Sequence, residues 1–264
     1  MTGIFDTHAH YDDEAFSSDR DELLDSMVRS GVVRIVNAAA SLGSTESTAD
    51  LAGRYPFIYG TAGVHPDEVG ELNEESFAWL KEAARREKIV AVGEIGLDYY
   101  WDKEQHDRQK YWFVRQLGLA RELGLPVVVH SREAARDTLD IIKSEAADLC
   151  CDIHCFSYGV EMAREYLDRG HYLGVGGVVT FKNARKLKEV VEYMPPDRLL
   201  LETDSPYLTP APHRGARNSS LYLPYVVQAV AAIRGISEEE VIRITYDNAM
   251  RFYGLREEAG KGIL

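Results

Sequence analysis

Ile4-Phe5-Asp6-Thr7-His8-Ala9-His10 is a short apolar run that ends in two histidines separated by one residue. Side chains alternate between the two faces of a β-strand, so His8 and His10 project to the same side and Ala9 points away. Imidazole binds zinc, manganese, iron and nickel, and a same-side pair can supply two ligands to one ion. Because an isolated pair of this kind is more often solvated or hydrogen-bonded, the remainder of the chain must decide between these interpretations.

The rest of the chain alternates strand-like and helical patterns. Apolar or β-branched runs predict seven further strands, at residues 32–38, 57–62, 89–92, 126–130, 150–156, 172–176 and 198–204. Amphipathic stretches between them predict helices, and two more helices follow the eighth strand, the last opened by Ser237. Parallel strands need crossover helices, and eight such units can close a sheet. The pattern therefore predicts an α/β fold, a (β/α)8 TIM-type barrel with an extra C-terminal helix.

Length and composition fit one enzyme domain. The 264 residues are close to the roughly 250 of a typical barrel, so we expect a single domain over residues 1–264 and favour a monomer. The chain is 45% hydrophobic and 28% charged, and it has no apolar run near the roughly 20 residues that span a bilayer. The N-terminus lacks a basic segment followed by an apolar one, so we expect a cytoplasmic protein with no membrane contact.

Three cysteines, Cys150, Cys151 and Cys155, lie in one short segment. An odd number of cysteines so close together is a poor disulfide framework, so we expect reduced thiols. Cys151 and His154 have a spacing found in zinc sites, but no second pair completes four ligands. The cysteines are therefore predicted to be small buried strand residues.

The net charge of −13 reflects 43 acidic and 30 basic residues. Such a surface argues against broad, non-specific binding of nucleic acid, which usually requires a basic domain. It does not exclude a nucleic-acid substrate, because a divalent ion and a few arginines around one pocket can attract phosphate locally.

Potential metal ligands lie at the ends of most of the predicted strands. These residues are His8, His10, His65, Glu94, His130, His154 and Asp204. In a barrel of this type the C-terminal ends of all strands meet at one rim, where active sites form. Seven groups are too many for one tetrahedral ion but suit two ions about 3.5–4 Å apart that share a carboxylate. The sequence therefore predicts two divalent ions, zinc, manganese or magnesium.

The carboxylates suggest distinct roles. Glu94 is the natural bridge, since its two oxygens can each bind a different ion whereas a neutral imidazole offers one free nitrogen. Asp204 can bind one ion and also accept a proton from the attacking water as a general base. Glu202 shares a face with Asp204 by the two-residue period, and could either support the site or be a buried, paired structural carboxylate.

Six motifs in order along the whole chain resemble those of the TatD family of metal-dependent deoxyribonucleases, which belongs to the amidohydrolase-like barrels. They are Phe5-Asp6-Thr7-His8-Ala9-His10, Gly63-Val64-His65-Pro66, Gly93-Glu94-Ile95-Gly96-Leu97-Asp98-Tyr99, Val129-His130-Ser131-Arg132, His154-Cys155-Phe156-Ser157 and Leu201-Glu202-Thr203-Asp204-Ser205-Pro206-Tyr207-Leu208. The resemblance implies metal binding by His8, His10, Glu94, His130, His154 and Asp204. It also implies that His65 lies near the substrate phosphate, outside the set of metal ligands.

Residues 214–218 are similar to the family's Arg-Gly-x-Arg-Asn stretch, but Ser219-Ser220 replaces the usual Glu-Pro. The change removes a carboxylate expected to anchor this loop, and so affects loop rigidity and substrate preference more than chemistry. Guanidinium groups match phosphate oxygens in a bidentate way. The candidates for phosphate binding, besides His65, are Arg132, Lys182, Arg214 and Arg217.

These observations predict a metal-dependent hydrolase that cleaves phosphodiester bonds, acting from DNA ends. Two alternatives stay open at this point. The same metals could serve an amidohydrolase or a deacylase that attacks an ester or amide, for example in aminoacyl-tRNA. A non-catalytic metal-binding scaffold would instead need closed coordination.

Overall fold

The computed structural model describes residues 3–101 and 104–256, and within them eight parallel strands form one sheet in sequential order. The strands are β1 (Ile4–Ala9), β2 (Val32–Asn37), β3 (Ile58–Ala62), β4 (Ile89–Asp98), β5 (Val127–Arg132), β6 (Cys151–Ile153), β7 (Tyr172–Val175) and β8 (Leu199–Leu201). A parallel bridge between Ala9 and Ser205 joins β1 to the segment after β8 and brings the sheet round on itself. The predicted (β/α)8 barrel is confirmed.

Nine α-helices lie in the described part of the chain. They are α1 (Arg20–Met27), α2 (Leu42–Arg54), α3 (Glu74–Ala83), α4 (His106–Leu123), α5 (Ala135–Glu145), α6 (Val160–Leu167), α7 (Arg185–Tyr193), α8 (Leu223–Arg234) and α9 (Glu238–Phe252). The helix α9 is the predicted extra one, and the Ser237 side chain accepts a hydrogen bond from the backbone N–H of Glu240 at its start. Each of these helices is too short or too polar to cross a membrane.

The helix α9 closes one end of the barrel. Phe5, Val90, Val128, Tyr172 and Leu200 each lie within the first two residues of their strands, and they form one buried cluster with apolar residues of α9. Phe5 stacks on Tyr253 with ring centroids 6.0 Å apart. An apolar cluster therefore packs at the N-terminal end of the barrel, opposite the C-terminal end where active sites of this fold form.

Two strands end earlier than the sequence predicts. The strand β6 ends at Ile153 and β8 at Leu201, so His154 and Asp204 lie just past their strands, not in their last positions. Cys155 (φ 46°) and Asp204 (φ 55°) adopt the left-handed conformation, which is costly for residues other than glycine and ends the extended backbone. The strand β4 is instead longer than predicted. It continues to Asp98, so Glu94 lies within the strand and not at its end.

Glycine and cysteine residues near β6 and β7 differ in their surroundings. A Cβ atom on Gly174 would collide with the carboxylate of Glu202, so the absence of a side chain at this position permits close packing. All three cysteines are free, and Cys151 is fully buried. The expectation of a buried strand residue is wrong for Cys150, which is exposed and precedes β6, and for Cys155, which is half-buried and follows β6.

Candidate metal centre

The two histidines of the first motif face each other at the C-terminal end of β1. Their Nε2 atoms are 3.1 Å apart. Two nitrogens bound to one ion at about 2.1 Å are about 3.0–3.4 Å apart for bond angles between 90° and tetrahedral. The Nδ1 atom of His10 lies 2.8 Å from the carbonyl oxygen of Ala38. Because that carbonyl can only accept, Nδ1 carries a proton, and loss of the second proton from Nε2 would leave a lone pair there for an ion.

Glu94 lies at the middle of the site and is almost fully buried. Its Oε2 atom is 3.3 Å from His8 Nε2 and 3.6 Å from His10 Nε2. Its Oε1 atom is 2.8 Å from His130 Nδ1, 2.9 Å from His154 Nε2 and 3.7 Å from His65 Nε2. The two oxygens therefore face two different sets of imidazoles, the arrangement that a bridging carboxylate requires.

Asp204 completes one of these sets. Its Oδ1 atom lies 3.3 Å from His10 Nε2 and 3.9 Å from His8 Nε2. Three groups have donor atoms within 4.8 Å of one another, namely His8 with His10 and Asp204, His65 with Glu94 and His130, and His8 with His154 and Glu202. All seven residues predicted at the strand ends thus meet at one rim. Their individual roles stay predictions, and the geometry alone does not separate His65 from the six expected ligands.

The charges at the rim compensate one another. Burial alone would lower the pKa of His10, but the hydrogen bond to Asp204 and the charges of Glu94 and Asp204 outweigh it and raise the pKa to about 9. For His154 burial also opposes the charged form, yet the charges of Glu94 and Glu202 raise its pKa. Burial lowers the pKa of His65 to about 3 and also lowers that of His8. The site therefore mixes protonated and neutral imidazoles around ionised carboxylates.

Asp98 is a supporting residue to which the sequence analysis gave no role. Its Oδ2 atom is 3.0 Å from His130 Nε2, so that nitrogen donates to the carboxylate while Nδ1 faces Glu94. Burial would raise the pKa of Asp98, but the hydrogen bonds from His130 and from the backbone of Trp101 lower it to about 2. The two-residue period of β4 places residues 94, 96 and 98 on one face, so this signal was present in the sequence.

Glu202 packs behind His154. Its Oε1 atom accepts a hydrogen bond of 2.6 Å from the backbone N–H of Cys155 and lies 3.6 Å from His154 Nδ1. The side chain is fully buried. These contacts fit both interpretations of Glu202, because the buried carboxylate is hydrogen-bonded to the backbone and also lies beside the His154 imidazole.

A second unpredicted carboxylate, Asp6, joins β1 to the loop after β8. It accepts hydrogen bonds from Ser220 Oγ at 2.6 Å and from Thr203 Oγ1 at 2.7 Å, together with one from the backbone N–H of His8 at 3.2 Å. Burial raises the pKa of Asp6 to about 7 against the effect of these hydrogen bonds. Ser220 also donates its backbone N–H to Tyr11 Oη at 2.8 Å. Ser220 therefore anchors the loop whose usual Glu-Pro is missing.

The four basic candidates for phosphate binding differ in their surroundings. Arg132, Lys182 and Arg214 are exposed, and the Arg214 guanidinium lies 4.1 Å above the ring of Phe181. Arg217 instead binds both oxygens of Asp19, at 2.7 and 2.6 Å. Its guanidinium would have to leave this ion pair to contact a phosphate, so the geometry disfavours Arg217 relative to the other three.

Comparison with known proteins agrees with this geometry. Residues 5–254 match the sequence model of the family described as TatD related DNase. A protein of Bacillus subtilis named uncharacterized metal-dependent hydrolase YabD is 43% identical, over 95% of this chain and 98% of its own. A protein of Cronobacter sakazakii named 3'-5' ssDNA/RNA exonuclease TatD is 36% identical, over 95% of this chain and 97% of its own. The crystal structure of YJJV, a TatD homologue from Escherichia coli, superimposes with a TM-score of 0.90 at 30% identity, over 96% of this chain and 98% of that one.

Proposed function

The chain belongs to the TatD-related DNase family of metal-dependent hydrolases, and from this premise we propose that it is an exonuclease that removes nucleotides from the ends of single-stranded DNA or RNA. The observation that carries the proposal is the position of Glu94, whose two oxygens face imidazoles on both sides. The exonuclease name of the Cronobacter relative supports the nature of the substrate.

The residues present fit two divalent ions. Imidazole nitrogens and carboxylate oxygens are the donors that zinc and manganese prefer, and the 3.1 Å separation of the two Nε2 atoms of His8 and His10 matches binding to one ion. We assign the ligands as His8, His10, Glu94, His130, His154 and Asp204. When bound, the ions supply positive charge that stabilises a phosphoryl group under attack.

Asp204 is the carboxylate best placed to accept a proton from the attacking water. Its side chain is 18% exposed, against 4% for Glu94, so water reaches it more readily. Burial would raise the pKa of Asp204, but the hydrogen bond with His10 and the nearby imidazoles lower it, so the carboxylate is ionised at neutral pH. His65, with 15% of its side chain exposed, contacts the substrate phosphate in this proposal.

The test uses protein stripped of metal and reloaded separately with zinc, manganese and magnesium. We expect release of mononucleotides from the 3' end of labelled single-stranded oligonucleotides. Compared with wild-type protein at equal metal content, Asp204→Asn should have a kcat about 10²–10⁴-fold lower, because a general base contributes that much. The matched control is Asp197→Asn, an exposed aspartate that precedes β8 at the opposite end of the barrel and should leave kcat unchanged. An Asp204→Asn protein with wild-type kcat would contradict the assignment of the base.

The rival carbonyl chemistry predicts a different outcome in the same assay. Arg214→Ala should raise KM for an oligonucleotide and reduce its salt slope by about one unit, since each lost phosphate contact removes about that much. A neutral p-nitrophenyl ester has no phosphate to lose. Efficient ester hydrolysis that ignores Arg214→Ala, with every nucleic acid left intact, would favour the deacylase or amidohydrolase.

A further inference from the structure

Two aromatic side chains stand exposed on the loop that follows β4. Tyr100 is 43% exposed and Trp101 is 67% exposed, and their ring centroids lie 4.7 Å apart at an interplanar angle of 87°. Aromatic side chains of this size usually bury most of their surface, and neighbouring ones left open to solvent are typical of binding sites. This loop therefore presents ring surface that the fold itself does not use.

A guanidinium group completes the exposed cluster. The Cζ atom of Arg132, at the end of β5, lies 4.2 Å from the ring centroid of Tyr100 and 5.5 Å from that of Trp101. Arg132 is positioned there by the sheet, because it is the register partner of Asp98. In the described part of the chain Arg132 pairs with no carboxylate, whereas Arg217 is held by Asp19. Its charge thus remains available to a ligand.

The cluster is joined to the candidate metal centre through one side chain. The Asp98 carboxylate accepts the backbone N–H groups of Tyr100 at 2.8 Å and Trp101 at 3.0 Å through Oδ1, while its Oδ2 atom binds the ring of His130 at 3.0 Å. The position of the aromatic loop and the orientation of a candidate ligand are therefore set by the same group.

We propose that Tyr100, Trp101 and Arg132 form a stacking platform for the unpaired bases of a single-stranded nucleic acid whose end lies in the metal centre. The proposal rests on the proposed exonuclease function and specifies how its substrate is recognised. Every base has a π-face, so stacking on aromatic rings and on a guanidinium tolerates any sequence. Bases within a duplex are already stacked on one another, so the platform favours single strands and frayed ends.

The charge of the chain makes such a platform useful. With a net charge of −13 the protein offers little long-range attraction to a polyanion, in contrast to the basic surfaces of most nucleic-acid-binding domains. Stacking does not depend on the net charge of the protein. Contacts to bases next to the cleaved bond can therefore hold a substrate that the rest of the surface repels.

The experiment compares Trp101→Ala with Trp79→Ala on two substrates. Trp79 is the matched control, since it is also exposed, at 38%, but lies within α3 on the outer layer of helices. One substrate is a labelled oligothymidylate, and the other has abasic residues at the three nucleotides nearest the end that is removed. Trp101→Ala should lower kcat/KM for the first about tenfold, mainly through KM, as expected for the loss of one stacked base. Trp101→Phe, which keeps a ring, should recover most of this loss.

The abasic substrate separates stacking from a structural effect. Wild-type protein should degrade it more slowly than the normal strand, and Trp101→Ala should cause no further loss there. If Trp101→Ala degrades the normal strand as well as wild-type protein, or loses the same factor on both substrates, the platform is wrong and the exonuclease stands. If wild-type protein leaves all nucleic acids intact with every ion tried, the exonuclease and the platform both fail.

Discussion

The two ends of the barrel are built by the same strands and have opposite chemistry. At the end where the strands begin, which we call the lower end, Phe5, Val128 and Leu200 pack against α9 in an apolar cluster. At the end where they finish, which we call the rim, imidazoles and carboxylates face one another at distances of 2.9–3.3 Å. Phe5 and His8 are three residues apart on one strand, and Val128 and His130 are two. Stability and chemistry are thus separated along these two strands and not between domains.

The free energy of burying a side chain also differs in sign between the two ends. Burying a phenylalanine at the lower end stabilises the fold by about 1.5–3 kcal/mol. Burying Glu94 at the rim costs free energy unless other charges compensate it, and removal of one partner leaves a buried charge unpaired. Apolar burial at the lower end therefore offsets the cost of burying charged groups at the rim. Divalent ions that bind only the folded state would stabilise the protein further.

Glu94→Gln should show the largest effect and should act only at the rim. Glutamine keeps the size of the side chain but has one oxygen and no charge, so it cannot bridge two ions. We expect kcat on oligonucleotides to fall by about 10³-fold or more, because the charge stabilisation supplied by metals is worth several kcal/mol. Elemental analysis should show fewer ions per chain while circular dichroism shows a retained fold. His65→Ala should be milder, and a fully active, metal-loaded Glu94→Gln protein would contradict the bridge.

Phe5→Ala tests the other end of the same comparison. Phe5 is 1% exposed, and truncation of a buried phenylalanine typically lowers the free energy of unfolding by about 3–5 kcal/mol. Chemical denaturation should reveal this loss, whereas kcat of the folded, metal-loaded protein should stay within about twofold, since side chains at the lower end do not contact the reacting groups. A drop in kcat comparable to that of Glu94→Gln would show that the two ends are not separable.

Local patterns in the sequence predict the barrel and the convergence of the rim. Alternation along β1 places His8 and His10 together, and the parallel arrangement brings their strand end next to Glu94 and His130. Both rules depend only on backbone geometry, which the apolar periodicity reveals. The metal roles of these residues stay predictions, although the fold that brings them together is confirmed.

The end of β8 and the anchoring of the loop that follows it depend on contacts between distant segments, which local sequence patterns do not predict. The sequence predicts that β8 reaches Asp204, yet the strand ends at Leu201, and the backbone N–H of Asp204 donates to the carbonyl oxygen of His8 at 2.9 Å. Asp204 has a left-handed φ where the segment after β8 contacts β1. Sequence patterns do not predict this conformation for a residue other than glycine. The role of Ser220 is hidden in the same way, since its partner Asp6 lies 214 residues away.

The smallest predicted effect concerns pH and should appear at the rim alone. His10 in the metal-free protein has a pKa of about 9, so its proton must leave before Nε2 can bind an ion. Between pH 7 and 9 we expect metal affinity to rise by about tenfold per pH unit for this one proton, and the raised pKa of His154 acts in the same direction. Competition with a chelator at pH 7, 8 and 9, corrected for the chelator's own protonation, measures the slope.

The sign of the accompanying stability change follows from the same pKa. A folded-state pKa of about 9 lies above the ordinary 6.5 of histidine, so protonation of His10 stabilises the metal-free protein fully below pH 6.5. This contribution is lost as the pH rises through 9. The lowered pKa values of Glu94 and Asp204 mean that both carboxylates are already ionised and add nothing in this range. Metal should therefore stabilise the protein more at pH 9 than at pH 7, while the cost of Phe5→Ala stays the same at both. A pH-independent metal affinity would mean that the imidazoles of the rim are neutral before the ions bind. Protonated imidazoles would then not be the groups that compensate the charges of Glu94 and Asp204.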